Sequence, residues 1–209
     1  MEKQAKLYII SAPSGAGKST LVEAILNKIG SHCSLSRAIT YTTRQPRINE
    51  RDGYDFHFLT EETFKQRIEQ GFFLEWSNAH TAYYGTPRSI LNDLDRGQSS
   101  LLVIDRVGAE KIRAQTKHAV LIWITVPSMA ILKERLVKRE TEDQATIERR
   151  LKRAQEEIAL EEQTPIYDYH IMNDDFNQAA TELEAIIMAE IEGSGQVAAP
   201  NRTIVRQAV

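Results

Sequence analysis

Near the N-terminus, residues 6–11 (KLYIIS) form a short apolar run without polar alternation, and a loop rich in Gly and Ser follows it. Over 18–29, Leu21, Val22, Ile25, Leu26 and Ile29 recur at helical spacing, which predicts a strand, a loop and a helix in that order. The runs SLLVID at 100–105 and AVLIWITV at 119–126 again lack alternation, as strands covered on both faces of a parallel sheet do. HIMN at 170–173 is a shorter run of the same kind. Helical periodicity is expected at 87–96, 109–115, 128–138, 146–162 and 176–191, the last with Ala179, Leu183, Ile186 and Ile187 on one face. Strands alternating with helices predict an α/β fold in which helices flank a parallel sheet.

Between 38 and 86 the texture changes. Thr, Tyr, Phe and Gly dominate, and short alternating segments appear at 55–59 (DFHFL) and 72–77 (FFLEWS), which predicts a small, mostly β insertion. Residues 193–209 carry Gly and Pro with few large apolar groups and read as a flexible tail. At 209 residues the chain suits one folding unit. An apolar fraction of 42% with 26% charged residues is ordinary for a globular protein, and no run approaches the roughly 18 apolar residues of a membrane span. No signal region precedes the first strand, so the expected setting is the cytoplasm. The lone Cys33 agrees with a reducing compartment and leaves no partner for an internal disulfide.

A net charge of −3 argues against a general nucleic-acid binder, which would show a basic surplus. The arginines nevertheless concentrate between Arg37 and Arg51 and again between Arg135 and Arg153. Two such concentrations suggest two sites for small, strongly anionic ligands.

The stretch Ala12-Pro13-Ser14-Gly15-Ala16-Gly17-Lys18-Ser19-Thr20 supplies the chemistry for one of them. It fits the phosphate-loop pattern G-x-x-x-x-G-K-[ST], with Ala12 in the first glycine position. Gly15 and Gly17 let backbone N–H groups turn inward around phosphate oxygens, and the following helix offers its positive end to the same anion. Lys18 reaches the terminal phosphates of a nucleoside triphosphate, and the Ser19 hydroxyl serves Mg²⁺. These residues predict a P-loop enzyme that uses a nucleoside triphosphate, without identifying the acceptor.

Residues 40–58 read TYTTRQPRINERDGYDFHF, followed by LEW at 74–76, YYGT at 83–86, ID..GA from 104 to 109 and MNDDF at 172–176. Together with the phosphate loop, these ordered motifs resemble the guanylate kinases, most closely the bacterial ones, over about residues 5 to 190. The resemblance implies a P-loop kinase core at 1–36, 87–125 and 165–192, a GMP-binding insertion at 37–86 and a helical lid at 126–164. It also implies transfer of phosphate from ATP to GMP. Arg44, Arg47 and Tyr84 match family positions that hold the GMP phosphate, a dianion well met by planar guanidinium forks. Glu75 matches the position that contacts guanine, and Thr40 and Thr86 match hydroxyls near its O6. Guanine offers donors where adenine offers a lone pair, so a buried carboxylate there discriminates between them.

Asp105 ends an apolar run where a P-loop enzyme keeps an acid near the metal, whereas the resemblance implies a contact to guanine. Both readings stay open. Arg135, Arg139 and Arg150 match lid arginines that reach the phosphates and join Lys18 and Arg44 in the expected catalytic set, with Arg149 and Arg153 as solvated or ion-paired neighbours. Asn173 matches a position near the adenine of ATP. The chain departs from the family's pattern at Phe56, where tyrosine is usual, at Val107, where glutamine is usual, and at Glu140, where glycine is usual. Two rival readings are a related kinase acting on a ribose phosphate and a non-enzymatic binding module. The guanine-reading set weighs against the first, and Lys18 with the lid arginines against the second.

Overall fold

The computed structural model describes residues 5–79, 82–138 and 143–193. Arg139, Glu140 and the tail from 194 onward lie outside the described residues. The first sheet contains β1 (Leu7–Ser11), β2 (Leu35–Arg37), β7 (Ser99–Val103), β8 (Ala119–Thr125) and β9 (Tyr169–Met172) in the order β2-β7-β1-β8-β9. Every pairing in it is parallel. The uninterrupted apolar runs explain this arrangement: Leu7, Ile9, Ile10, Leu101, Leu102, Leu121, Ile122 and Ile124 are wholly buried, because helices cover both faces.

One face packs on α1 (Lys18–Ile29) and α7 (Phe176–Glu192), and α5 (Met129–Val137) and α6 (Gln144–Gln163) contribute to the same core. The other face packs on α3 (Ile90–Asp95) and α4 (Arg106–Arg113). The adjacent strands β1 and β7 point the same way, so the loops after their carboxyl ends open at one edge of the sheet, where ligands of such folds bind.

A second sheet holds β3 (Tyr41–Thr42), β4 (His57–Phe58), β5 (Phe73–Ala79) and β6 (Ala82–Pro87) in the order β4-β3-β6-β5. It contains the alternating segments expected between 38 and 86. Between β4 and β5 the chain also forms α2 (Glu61–Glu69), which the alternation did not announce. Thr60 caps this helix by accepting from the Thr63 N–H at 3.2 Å, and only Phe64 is buried on it, too narrow a stripe to show a period. Helix α4 joins the two sheets: Lys111 Nζ donates to the Trp76 carbonyl at 2.6 Å and Gln115 Nε2 to the Leu74 carbonyl at 2.9 Å. Those bonds cover the outer edge of β5 on either side of Glu75.

Helix starts follow their caps. Asp143 and Asp175 accept from the Thr146 and Gln178 N–H groups at 2.7 and 2.8 Å and begin α6 and α7. Helix α4 begins at Arg106, earlier than the expected 109, because Asp105 Oδ1 accepts from the Gly108 N–H at 2.8 Å. Helix α3 starts late because Pro87 still belongs to β6. Among the described residues no helix is long and apolar enough to cross a membrane.

Candidate functional site

A cleft of about 1550 Å³ opens between the carboxyl edge of the first sheet, the second sheet and α6. Its walls carry Lys18, Ser19, Thr40, Arg44, Arg47, Glu75, Tyr84, Asp105 and Arg150, so residues expected at both anionic sites meet in one space.

The phosphate loop runs from the end of β1 to the start of α1. Gly15 and Gly17 have φ of 97° and 86°, a left-handed backbone that favours glycine. A Cβ on Gly17 would stand 2.5 Å from Asn173 Nδ2, so the loop needs glycine there for contact as well as for conformation. Gly17 forms the N-cap of α1 without a side-chain cap bond, which leaves backbone donors of the first turn for an anion. Asn173 is buried beneath the loop, and its Nδ2 donates to the Ala16 carbonyl at 2.7 Å. Its amide therefore holds the loop's shape.

Lys18 Nζ donates to the Ala12 carbonyl at 3.1 Å. Burial lowers its pKa, while the Glu157 and Asp105 carboxylates oppose that shift. The ammonium is thus held partly desolvated, where its attraction for phosphate is strongest.

In the second sheet, Arg44 makes a forked pair with Glu50, Nη1 to Oε2 and Nη2 to Oε1, each 2.9 Å. Glu50 Oε2 also accepts from the Arg47 N–H at 2.8 Å. Burial alone would raise the Glu50 pKa, but these bonds and the two guanidinium charges hold it below the usual carboxylate value. Glu50 thus arranges both arginines. The sequence motif contained it, but its role is visible only once the chain between Arg44 and Glu50 curls back. Phe56 lines the same wall, its ring centroid 5.5 Å from Arg44 Cζ and 6.2 Å from the ring of Tyr84.

Glu75 is 6% exposed and accepts at Oε1 from the wholly buried Thr86 hydroxyl at 2.6 Å. Its pKa is pushed up to about 7, chiefly by burial, with the Asp105 charge adding to the effect and the Thr86 bond and Lys111 charge opposing it. Gly108 admits this carboxylate against α4, because a Cβ there would approach Glu75 Oε2 to 3.0 Å. Thr86 sits behind Glu75 outside the cleft wall and orients the carboxylate, whereas Thr40 faces the cleft directly. The charge of Asp105 acts on both Glu75 and Lys18, so this side chain stands between the two halves of the site.

Arg149, Arg150 and Arg153 of α6 all line the cleft. Arg149 donates to Thr146 Oγ1 at 2.9 Å, and Arg153 Nε pairs with Glu157 Oε1 at 2.8 Å. Arg149 and Arg153 were expected only as solvated or ion-paired neighbours; Arg153 is paired, and both also face the site. Arg135 is not on the cleft wall, and its Nη2 donates to the Asp174 carbonyl at 3.3 Å. No group of three His, Cys, Asp or Glu side chains among the described residues could cage a metal. Ser19 and Asp105 both line the cleft, and so small a set of oxygen donors fits Mg²⁺, which keeps several waters and takes most of its other ligands from phosphates.

Known proteins resemble this chain over most of its length. A family model described as guanylate kinase matches residues 4–190. Over 191 residues, covering 91% of this chain and 90% of the relative, the sequence is 41% identical to the guanylate kinase of Caldanaerobacter subterraneus subsp. tengcongensis. It is 43% identical over 185 residues to that of Vibrio vulnificus, covering 88% of this chain and 87% of the relative. The crystal structure of guanylate kinase from Anaplasma phagocytophilum superposes with a TM-score of 0.73 at 30% identity, covering 90% of this chain and 87% of that one.

Proposed function

The chain belongs to the guanylate kinase family, and we propose from its site that it transfers the γ-phosphoryl group of ATP to GMP, giving ADP and GDP. The carrying observation is a buried carboxylate, Glu75 with Thr86 behind it, across one cleft from a phosphate loop. A ribose phosphate has no use for that carboxylate, and a binding module has no use for a desolvated Lys18.

In this reading residues 37–86 bind GMP, with Arg44, Arg47 and Tyr84 on its phosphate, and Glu75, Thr40 and Thr86 at the guanine edge. Residues 12–20 hold the ATP phosphates, and Asn173 supports that loop. Residues 126–164 form a lid whose arginines, Arg135, Arg139 and Arg150, approach the transferring group on closure. The proposed setting is the cytoplasm, within purine nucleotide metabolism.

An oxygen of the GMP phosphate attacks the γ phosphorus as the bond from that phosphorus to the β-bridging oxygen breaks, and the electron pair leaves with ADP. No side-chain nucleophile takes part. Lys18, Arg44 and Arg150 gather the developing charge, and alignment supplies much of the rate. Ser19 would hold Mg²⁺, which would neutralise charge on the β and γ phosphates, and Asp105 stands where it serves either that metal, directly or through water, or the guanine of GMP. Closure of the lid and the insertion excludes water and suppresses hydrolysis of ATP. The test is incubation with GMP and ATP labelled at the γ phosphorus. Label in GDP supports the reading, and label released only as inorganic phosphate contradicts it.

Phe56 gives a prediction of its own. Its ring packs beside Arg44 and Tyr84 but offers no hydroxyl to the GMP phosphate. A hydrogen bond to a charged group contributes about 1.5–3 kcal/mol, so Phe56→Tyr is expected to lower the KM for GMP by roughly tenfold or more while leaving the KM for ATP unchanged. Steady-state kinetics with each substrate varied check this. No gain for GMP would mean that Tyr84 or Tyr54, both on the same wall, already serves that phosphate.

A further inference from the structure

Arg106 follows Asp105 directly and is only 7% exposed, an unusual burial for an arginine at a cleft wall. Its Nη1 donates to the carboxylate of Glu161, and its Nη2 to the carbonyl of Thr164, with Thr164 Oγ1 at 3.2 Å. Its Nε lies 3.1 Å from Glu110 Oε1 without hydrogen-bond alignment. Glu161, 4% exposed, also accepts from the backbone N–H of Ile166 at 3.2 Å and pairs with His170 Nε2 at 3.0 Å. The guanidinium therefore sits at the carboxyl end of α6, where a cation complements the helix dipole, and ties α6 to the first turn of α4.

Along α6, Thr146, Arg150, Arg153 and Glu157 line the cleft, and Glu161 continues the same face one turn further on. Fixing Glu161 fixes the rotation of that whole face. We propose that Arg106 and Glu161 are positioning residues, a buried pair that sets the azimuth of α6 and so presents Arg150 to the transferring phosphate. The inference rests on the reading that Arg150 serves that phosphate. A buried ion pair of this kind adds little net stability compared with apolar groups of the same size, so a role in specifying geometry is the better account of its presence.

Three variants test the pair: Arg106→Met, Glu161→Gln and the two together. Each single change unbalances a buried charge and lowers the melting temperature, and the double change removes both charges and recovers much of it. The kcat for GMP and ATP is expected to fall about ten- to a hundredfold in all three, including the double variant, with both KM values within about threefold. Recovery of kcat together with the melting temperature would overturn the proposal, because the pair would then only hold the fold. Should Arg106→Met fail to fold, Arg106→Lys retains the charge but cannot reach Glu161 and Thr164 together; full kcat in that variant overturns the proposal, and a reduced kcat in a folded protein supports it. Failure of the unsubstituted protein to make GDP would instead contradict the function itself.

Discussion

Lys18→Met is expected to reduce phosphoryl transfer by about three orders of magnitude or more, the scale at which a single cation on a transferring phosphoryl group acts. The fold should survive. Lys18 lies outside both apolar clusters, and its ammonium has the Ala12 carbonyl as its hydrogen-bond acceptor. Because burial lowers its pKa, the folded protein disfavours the charged form, so replacing it with an uncharged chain of similar length should hold or raise the melting temperature. Loss of activity with equal or greater stability is the signature of a group retained for chemistry. Retention of most of the wild-type turnover would contradict the phosphate-loop assignment.

Glu75→Gln should lower kcat/KM for GMP by roughly two to three orders of magnitude and leave the KM for ATP unchanged, since a site built around hydrogen bonds loses strongly when one partner is wrong. The pH dependence sharpens this expectation. The Glu75 pKa rises from 4.5 to about 7 on folding, so between those values the folded state binds more protons than the unfolded state. Stability contributed by this group is present below pH 4.5, declines as pH rises and is lost above about 7, a change of roughly 3 kcal/mol at 1.36 kcal/mol per unit. Competence runs the other way: the anionic form that accepts from guanine grows as pH rises through 7. The KM for GMP is therefore expected to fall between pH 6 and 8 while the melting temperature also falls. Part of the KM trend comes from the second ionisation of the GMP phosphate, near pH 6. Measuring both profiles in Glu75→Gln separates the two, because the Glu75 component should vanish and the variant should melt higher at pH 8. Unchanged GMP kinetics would make Glu75 a buried charge without a role in acceptor choice.

What could be read from sequence divides by the range of the interactions involved. Strand β1, the phosphate loop and α1 were legible because their signals are local: an apolar run, two glycines needing left-handed backbone, and a five-residue apolar stripe. Helix α2 and strand β2 were not, because each buries a single side chain, Phe64 and Leu35. The early start of α4 depended on Asp105 acting as a cap, a role hidden by its prospects as a metal or guanine ligand.

At the site, the matched motifs pointed to Arg44, Glu75 and Lys18, but their partners are tertiary. Glu50 holds two arginines only after the loop closes on itself, and Asn173 meets Ala16 across 157 residues of chain. Arg106 and Glu161 stand 55 apart on helices that belong to different parts of the pattern. Nothing in the local sequence around either one signals the pair.

The most direct test of acceptor choice is kcat/KM with saturating Mg·ATP for GMP, AMP and ribose 5-phosphate in parallel. At about pH 8, with Glu75 anionic and oriented by Thr86, GMP is expected to exceed AMP by about a thousandfold or more, with ribose 5-phosphate lower still. Comparable values for GMP and AMP, or a preference for the ribose phosphate, would contradict the guanine-reading site.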